Sequence, residues 1–329
     1  MSKQKLIVIL GPTASGKSEL AIKLALRLGS GQAKKKFGIN GAEIISADSR
    51  QIYRGMDIAT AKPSRSKKLK VKSQKYLVNG IPHHLIDVVY PNQEFNVAIY
   101  KKLGLKVIKD IQKRGKLPFL VGGTGLYIQT IVDNIEFPKV PPQKKLREKL
   151  EKKSAKELFE IYQKLDPEGT KFIEKENPRR LIRAIEVCKV TGTSFWKQRQ
   201  RGSPLFNVLQ IGIKSAREKL QERIIERVQK MFKLGLEKEV KNLIKKYGWI
   251  PPLQTIGYQE WKEYFEGKIN KNDVKNLIIK HTNQFARRQM TWFKKDKRIK
   301  WVKIHRQAER LLRIFRIELF NQVFCIRNS

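Results

Sequence analysis

Four short runs of mainly apolar residues predict buried strands. They lie at residues 6–10, 43–46, 117–121 and 208–213. A strand that is apolar along most of its length is typical of a parallel sheet, because helices cover both of its faces. Segments rich in helix-forming residues separate the four runs. The pattern therefore predicts an α/β fold, in which a parallel sheet core is flanked by helices and functional groups lie at the carboxyl ends of the strands.

The composition of the chain changes between residues 133 and 204. This stretch is charged, has helical periodicity and contains no clear buried strand, so we predict a helical domain inserted into the sheet core. A polar stretch at 29–41 predicts a surface loop, and the residues after 301 form a basic, amphipathic tail. The predicted order is a first part of the core, the inserted helical domain, a second part of the core and the tail, at residues 1–132, 133–204, 205–301 and 302–329.

The net charge of the chain limits the classes of partner that it is expected to bind. Its 329 residues include 71 Lys and Arg against 30 Asp and Glu, a formal net charge of +41. A surplus of this size favours a polyanionic partner such as nucleic acid, a lysine-rich surface without a partner being the alternative. The placement of the charges matters more than their sum. The sequence has no run of about 18 apolar residues, which excludes a membrane-spanning helix.

The N-terminus and the cysteines bear on location and on metal binding. The first residues pass from an apolar run directly into a glycine loop, without the features of a signal or transit peptide. We therefore expect a soluble, cytoplasmic protein. Two cysteines, Cys188 and Cys325, are too few for a disulfide framework or a four-ligand zinc site. Cys188 lies on the apolar side of a predicted helix, and we interpret it as a core residue.

The strongest chemical signal is the sequence GPTASGKS at 11–18. It follows the first predicted strand and precedes a helical segment, which is the structural context of a phosphate-binding P-loop. Its glycines allow the backbone to turn with the N–H groups inward, its lysine supplies a positive charge and its last serine can ligate magnesium. The motif predicts a phosphate or diphosphate site without identifying the molecule that carries it. The residues are Gly11, Pro12, Thr13, Ala14, Ser15, Gly16, Lys17 and Ser18.

Two further candidates follow predicted strands. Asp48 comes directly after the second strand, where an acid acts as a base or holds metal, a simple turn being the alternative. Thr124 lies in GGTGLY after the third strand, where its hydroxyl is placed to contact a phosphate oxygen or a substrate base, a strand-to-helix turn being the alternative. His83 and His84 have no Cys or His at ligand spacing, so we interpret them as structural residues rather than metal ligands.

One basic cluster lies at the predicted start of a helix. Asn177 is a suitable N-cap, and Pro178 suits the first helical position. Arg179, Arg180 and Arg183 follow in the first turns. Arginine forks suit phosphates and bases, while a solvated helix face is the alternative.

Two other basic groups lie later in the chain. Arg223 and Arg227 are neighbours on one helix face. The segment 284–301 interleaves Arg287, Arg288 and further cations with aromatic residues, a composition that binds and stacks RNA. The alternative is an amphipathic helix with a buried aromatic face. We expect a combination of the two, in which the aromatic side chains lie mostly in the core and the arginines face a ligand. The aromatic residues are Phe285, Trp292, Phe293 and Trp301.

Eight motifs together resemble the tRNA dimethylallyltransferase (isopentenyltransferase) family. They occur in family order between residue 6 and about residue 301. The motifs are GPTASGKS, ISADSRQIYRGMDIATAKP, HHLIDV, LVGGTGLYIQ, NPRRLIRAIEV, RIIERVQKM, IGYQEW and ARRQMTWF. The resemblance implies a P-loop NTPase-like fold. It also implies transfer of a dimethylallyl group from dimethylallyl diphosphate to the exocyclic amine of the adenosine 3′-adjacent to the anticodon, in tRNAs that decode codons beginning with U.

The resemblance further implies roles for single residues. The P-loop, with Mg²⁺ at Ser18, would hold the diphosphate leaving group rather than ATP, and one or both of Arg223 and Arg227 would reach it. Asp48 would take a proton from the adenine amine, and Thr124 would contact the target nucleotide. The residues implied in tRNA binding are Asp48, Ser49, Arg50, Gln51, Thr124, Asn177, Pro178, Arg179, Arg180, Leu181, Arg287 and Arg288.

Some features depart from the family, and other functions remain open. The loop at 29–41 is longer than is usual, and the tail after Trp301 extends past the usual end. Two cysteines do not suffice for the zinc finger of many eukaryotic members, so the chain resembles the bacterial form. The alternatives are a P-loop kinase or NTPase that binds ATP, an enzyme that prenylates free AMP, and a non-catalytic RNA-binding protein. We expect a monomer that binds a tRNA anticodon stem-loop and dimethylallyl diphosphate.

Overall fold

The structure, a computed structural model, describes residues 4–29, 39–64, 76–198, 201–303, 307–308 and 310–311. The chain divides into two compact units. One is formed by Met1–Ile131 together with Leu205–Ser329, and the other by Val132–Pro204. The inserted domain predicted at 133–204 lies within the second unit. Most of the predicted tail, residues 30–38 of the predicted surface loop and Cys325 lie outside the described residues.

The first unit contains a seven-stranded sheet. Its strands β1 to β7, in chain order, are Gln4–Leu10, Ala42–Ala47, Tyr76–Val78, Ile81–His84, Leu117–Gly122, Phe206–Ile213 and Lys300–Val302. The order across the sheet is β3-β4-β2-β5-β1-β6-β7, and every neighbouring pair is parallel except β3 with β4. The four predicted strands are confirmed as β1, β2, β5 and β6, and three short strands were not predicted.

Burial explains the central place of β1. Residues 6–10 are all 0% exposed, and a strand without any exposed residue requires covering layers on both faces. The carboxyl end of β1 adjoins those of its neighbours, since Leu10 lies opposite Gly122 of β5 and Gly212 of β6. The loops that follow β1, β2 and β5 therefore meet at one edge of the sheet.

Ten α-helices occur in the described part of the chain. Numbered α1 to α10, they are Lys17–Leu28, Val97–Lys113, Gly125–Val132, Lys144–Glu151, Ala155–Leu165, Pro178–Thr191, Arg217–Lys233, Leu236–Tyr247, Trp261–Phe265 and Lys271–Lys294. Within this part of the chain, none combines the length and the apolar content needed to cross a bilayer. Residues Val228, Trp261 and Ile278 of the later helices share a core with Ile52 and Met56, which follow β2.

The second unit is built around a helical core. Cys188 is buried in that core, as predicted. Asn177 caps α6 by accepting a hydrogen bond from the backbone N–H of Arg180 at 3.2 Å, and Pro178 occupies the first helical position. Both local predictions are therefore confirmed. Residues of this core that are at most 1% exposed are Leu158, Tyr162, Leu181, Ala184 and Ile185.

The amino end of β2 carries a buried carboxylate. Glu43 is 1% exposed and accepts hydrogen bonds from Arg114 Nη2, Lys116 Nζ and His84 Nε2, each at 2.8 Å. Burial raises the pKa of Glu43, but these hydrogen bonds outweigh burial and hold the pKa well below its ordinary value. His83 is itself buried, and burial lowers its pKa. The structural interpretation of His84 is confirmed.

Candidate active site

Strand β1 leads directly into the glycine loop, and α1 begins at Lys17. Gly16 precedes the helix with φ 86°, a left-handed conformation that favours glycine. Ala14 has φ 61°, a conformation that costs a non-glycine residue about 1–3 kcal/mol. Backbone strain of this kind persists only where the surrounding structure imposes it, and it concentrates at ligand-binding loops.

Two polar side chains of the loop suit an oxygen-rich ligand. Ser15 is 3% exposed, and its Oγ has no hydrogen-bond partner among the described residues. A buried hydroxyl without a partner is costly, and a phosphate oxygen would satisfy it. Lys17 Nζ donates to the carbonyl oxygen of Pro12 at 3.0 Å, which uses one of the three donors of an ammonium group. The loop therefore fits the predicted diphosphate.

Two cations and one carboxylate lie beside the loop. Burial lowers the pKa of Lys17 to about 8; Asp48 opposes this decrease, and Arg227 adds to it. Burial also lowers the pKa of Arg227, again opposed by Asp48. Arg227 is held by a hydrogen bond from Nη1 to Thr13 Oγ1 at 2.7 Å. An anionic ligand would stabilise this local surplus of positive charge.

Asp48 follows β2 and turns the chain. Its Oδ1 accepts hydrogen bonds from the backbone N–H groups of Arg50 at 2.9 Å and Gln51 at 3.4 Å, the arrangement of an Asx turn. Within the described segments, its Oδ2 accepts no hydrogen bond. One carboxylate oxygen therefore orients the side chain, while the other is free to accept a proton from a ligand.

The second glycine loop, which follows β5, is bonded to this turn. The N–H of Thr124 donates to the carbonyl oxygen of Ala47 at 3.1 Å. Thr124 Oγ1 accepts a hydrogen bond from the N–H of Ser49 at 3.0 Å. The residues after β2 and after β5 are thus held together at the carboxyl edge of the sheet.

A cavity of about 370 Å³ brings these groups together. Its apolar wall includes Val228, Met231 and Ile278. An apolar wall beside cations and a carboxylate suits a ligand in which a hydrocarbon group is attached to a phosphate. The polar and aromatic residues that line the cavity include Thr13, Asp48, Ser49, Arg50, Thr124, Arg227, Phe285, Arg288 and Gln289.

A second cavity, of about 590 Å³, includes Ser15 and Gly16 of the glycine loop. Arg223 lines this cavity, whereas Arg227 lines the first one. The two arginines that share a helix face in the sequence therefore approach the glycine loop through different cavities. Three lysines also line the second cavity, at Lys214, Lys219 and Lys303.

Comparisons with known proteins identify the family of the chain. A family model described as IPP transferase matches residues 51–296. The chain belongs to the IPP transferase family. A tRNA dimethylallyltransferase of Pelotomaculum thermopropionicum is 42% identical over 315 residues, 93% of each chain. A relative of the same name from Trichormus variabilis is 43% identical over 298 residues, 90% of this chain and 93% of the relative.

Solved structures of IPP transferases share the fold. The full-length tRNA isopentenylpyrophosphate transferase of Bacillus halodurans is 31% identical, with a TM-score of 0.67 and coverage of 99% of this chain and 100% of that one. A eukaryotic dimethylallyltransferase described as acting on tRNA is 28% identical, with a TM-score of 0.69. The match covers 88% of this chain and 69% of that one. The P-loop NTPase-like fold expected from the sequence is confirmed.

Two expected RNA contacts need correction in this IPP transferase. Leu181 is 0% exposed in the core of the helical unit, so its side chain has no exposed surface with which to contact RNA. Gln51 does not line the cavity around Asp48. Its amide accepts a hydrogen bond from Ser46 Oγ at 3.0 Å and donates to the carbonyl oxygen of Thr60 at 3.3 Å, so it stabilises the segment after β2.

The arginines at the start of α6 differ in their surroundings. Arg183 donates to Glu186 and, at 3.0 Å, to the carbonyl oxygen of Val140, which gives it a structural role. Arg180 lies 3.5 Å from Glu174, and Arg179 is exposed. The predicted contacts of the last two with RNA stay predictions.

The expectation for the aromatic residues of α10 is wrong in part. Phe293 is 3% exposed, as predicted, but Phe285 is 37% and Trp292 is 42% exposed. Phe285 lines the first cavity, and the guanidinium of Arg288 lies 6.0 Å from the centre of its ring. Arg287 is exposed and does not line that cavity.

Two charged residues that support the site were not singled out from the sequence. Lys62 Nζ donates to Asp57 Oδ1 at 2.6 Å and to Asp87 Oδ1, which ties two of the recognised motifs together. Glu239 accepts hydrogen bonds from the N–H of Ile58 at 2.8 Å and of Asp57 at 3.1 Å. Both lie in or near the motifs, but Asp87 is 25 residues from Lys62, and Asp57 and Ile58 are 182 and 181 residues from Glu239. No local pattern indicates these longer-range pairings.

Proposed function

We propose that this chain transfers a dimethylallyl group from dimethylallyl diphosphate to the exocyclic amine of the adenosine 3′-adjacent to the anticodon, in tRNAs that decode codons beginning with U. Diphosphate is the other product. The names of the curated relatives support the reaction, and a structural neighbour described as acting on tRNA supports the acceptor. The single observation that carries the proposal is that Asp48, Thr124 and Arg227 line one cavity with an apolar wall.

The donor half of the reaction is the departure of diphosphate. The allylic carbon–oxygen bond breaks as negative charge grows on the diphosphate oxygens, and groups that stabilise this charge accelerate the step. The N–H groups of the glycine loop, the ammonium of Lys17 and the guanidinium of Arg227 supply that stabilisation. The Ser15 hydroxyl, buried and without a partner in the described chain, gains one in the complex.

The acceptor half is the attack of the adenine amine on the allylic carbon. This amine is a weak nucleophile, because its lone pair is delocalised into the ring, so a base must remove a proton as the new bond forms. Asp48 takes this proton through Oδ2, since Oδ1 is used by the turn. Thr124 contacts the target nucleotide, and the arginines at 50 and 288 bind RNA beside it.

Mg²⁺ fits this site only as an ion shared with the substrate. Within the described residues, no group of three or more His, Cys, Asp or Glu side chains is close enough to hold a metal. Mg²⁺ commonly uses one or two protein oxygens, several waters and substrate phosphates. The hydroxyl of Ser18 would supply the protein oxygen, and the ion would neutralise charge on the diphosphate.

The remaining expectations concern tRNA and the cell. Asn177, Pro178, Arg179 and Arg180 at the start of α6, together with Arg287, bind tRNA outside the cavity. Because tRNA is a polyanion, its binding weakens steeply as salt increases. We propose a monomer that acts in the cytoplasm, where its tRNA substrates are.

The decisive experiment uses the purified protein, Mg²⁺, dimethylallyl diphosphate and an anticodon stem-loop with A-A-A from the last anticodon position onward. Mass spectrometry of the RNA is expected to show the addition of one dimethylallyl group. A matched stem-loop with purine in place of the target adenine lacks the amine and stays unmodified. Prenylation of AMP without any reaction of the stem-loop, or turnover of ATP alone, would contradict the proposal.

A further inference from the structure

The side chain of Gln289 joins the two glycine loops. It extends from α10, is 7% exposed and uses both ends of its amide. Its Oε1 accepts a hydrogen bond from the N–H of Thr13 at 2.8 Å, and its Nε2 donates to the carbonyl oxygen of Gly123 at 2.9 Å. These partners are 276 and 166 residues away along the chain. One buried amide thus fixes the separation of two loops that have no sequence proximity.

The two bonded loops belong to different halves of the proposed reaction. Thr13 also holds Arg227, through its Oγ1 at 2.7 Å, on the diphosphate side. Gly123 immediately precedes Thr124, which is bonded to the turn of Asp48 on the acceptor side. Gln289 is therefore the middle of a connected path from the diphosphate side to the residues around the attacking amine.

The surroundings of Gln289 leave little choice of side chain. A Cβ on Gly123 would lie 2.3 Å from Nε2 of Gln289. The close approach of the Gln289 amide to the backbone therefore requires a glycine at position 123. Glutamate at position 289 would accept from Thr13 but, when ionised, has no proton to donate to Gly123. Methionine would fill the same volume without either hydrogen bond. Because the Thr13 N–H is already used by Gln289, that group is not one of those left for the diphosphate.

We propose that Gln289 is a positioning residue, which sets the distance between the diphosphate and the attacking amine. The inference rests on the proposed function. Reaction between two bound groups requires their alignment, and a displacement of about 1 Å far from the chemistry can cost roughly 10²-fold in rate. Replacement of Gln289 therefore lowers the rate of transfer while leaving the binding of each substrate nearly intact.

The test compares Gln289→Met with Gln210→Met. Gln210 is a matched control, since it is 3% exposed, donates to Asp296 Oδ2 at 3.0 Å and touches neither glycine loop through a hydrogen bond. For Gln289→Met we expect kcat to fall roughly 10²-fold, with the KM for dimethylallyl diphosphate and the Kd for the stem-loop within about threefold of wild type. For Gln210→Met we expect a similar change in Tm and a kcat within about twofold of wild type.

A double variant separates positioning from a general loss of structure. Gln289 acts through Thr13 on Arg227, so the two substitutions are expected to be coupled. The fold-loss of kcat in the double variant is therefore expected to be smaller than the product of the fold-losses in Gln289→Met and Arg227→Met. A multiplicative loss, or a Gln289→Met enzyme with a wild-type kcat, would overturn the proposal. So would equal losses of kcat in Gln289→Met and Gln210→Met.

Hydrogen exchange gives a readout that does not depend on activity. In Gln289→Met, the amide of Thr13 is expected to exchange faster than in wild type, while amides of β1 exchange at the wild-type rate. Gln210→Met leaves the Thr13 amide protected. If transfer fails in wild type but this exchange pattern is found, the proposed function is wrong and the bridge exists. If transfer succeeds and the Thr13 amide stays protected in Gln289→Met, the positioning role is wrong.

Discussion

Each end of β2 has a carboxylate side chain, but the two carboxylates differ in burial and in how many hydrogen bonds they accept. Glu43, at the amino end, is 1% exposed, and three cationic or polar side chains of the same chain satisfy its carboxylate. Asp48, just past the carboxyl end, is partly exposed and keeps one oxygen without a partner in the described chain. The carboxylate of Glu43 is therefore satisfied by its own chain and has a structural role. The carboxylate of Asp48 is oriented by one oxygen, while its other oxygen remains available to a ligand.

The cations at the two ends differ in the same way. Around Glu43, both Arg114 and Lys116 have a carboxylate partner. Beside Asp48, burial lowers the pKa of Lys17 and of Arg227, and one carboxylate only partly compensates. A protein tolerates such an arrangement where a ligand completes it. Incomplete neutralisation, rather than the number of charges, is what separates the site from the structural cluster.

The largest expected effect tests the unused oxygen of Asp48. Asp48→Asn keeps an oxygen that accepts from the N–H of Arg50 but cannot take a proton. We expect transfer to the stem-loop in single turnover to fall by about 10²-fold or more, the usual scale for a general base, with RNA affinity within about threefold. A rate within a few-fold of wild type would exclude Asp48 from proton transfer.

The next effect concerns Glu43, at the other end of the strand. Glu43→Gln leaves Lys116 without a carboxylate and Arg114 with Asp110 as its remaining carboxylate partner. Both cations are about one-third exposed, so the free energy of unfolding is expected to fall by only about 1–3 kcal/mol. Denaturant unfolding measures this, and kcat is expected to be unchanged. Because the folded pKa of Glu43 is depressed, the wild-type advantage is complete above pH 4.5 and declines as the pH falls below it.

The smallest effect is the pH dependence of diphosphate binding. With a pKa of about 8 in the free protein, Lys17 loses its charge as the pH rises, so affinity is expected to fall about tenfold between pH 7 and 9, or about 1.4 kcal/mol. Lys17→Arg stays charged throughout, and the ratio of the two affinities cancels the titration of diphosphate itself. Calorimetry that finds the same ratio at both pH values would show that Lys17 does not titrate in this range.

The sequence predicted those parts of the fold that residues adjacent in the chain determine: buried strands, the glycine loop and a helix cap. An uninterrupted apolar run followed by GPTASGKS determines a buried strand and the loop after it, because strand burial, the glycine conformations and the helix start all depend on adjacent residues. The cap at Asn177 is local for the same reason. The short strands Tyr76–Val78 and Ile81–His84 were missed, because they contain few residues and include Pro82 and two histidines.

The rest of the site depends on partners that no local pattern indicates. Helical spacing places Phe285 and Trp292 on a helix but does not say which neighbour covers them, and both turned out to be substantially exposed. Gln51 looked available for a base because it follows Asp48, whereas Ser46 and Thr60 already use its amide. The importance of Gln289 became visible only when its two partners were brought beside it by the fold.

The pairing of β1 with β6 has a consequence for synthesis of the chain. The ladder runs from Gln4 opposite Phe206 to Leu10 opposite Gly212, so one edge of this largely apolar strand stays unpaired until residue 206 has left the ribosome. The helical unit Val132–Pro204 is continuous and is by then fully synthesised. An unpaired apolar edge invites pairing with other chains, so the strand that leads into the glycine loop exposes the nascent chain to aggregation.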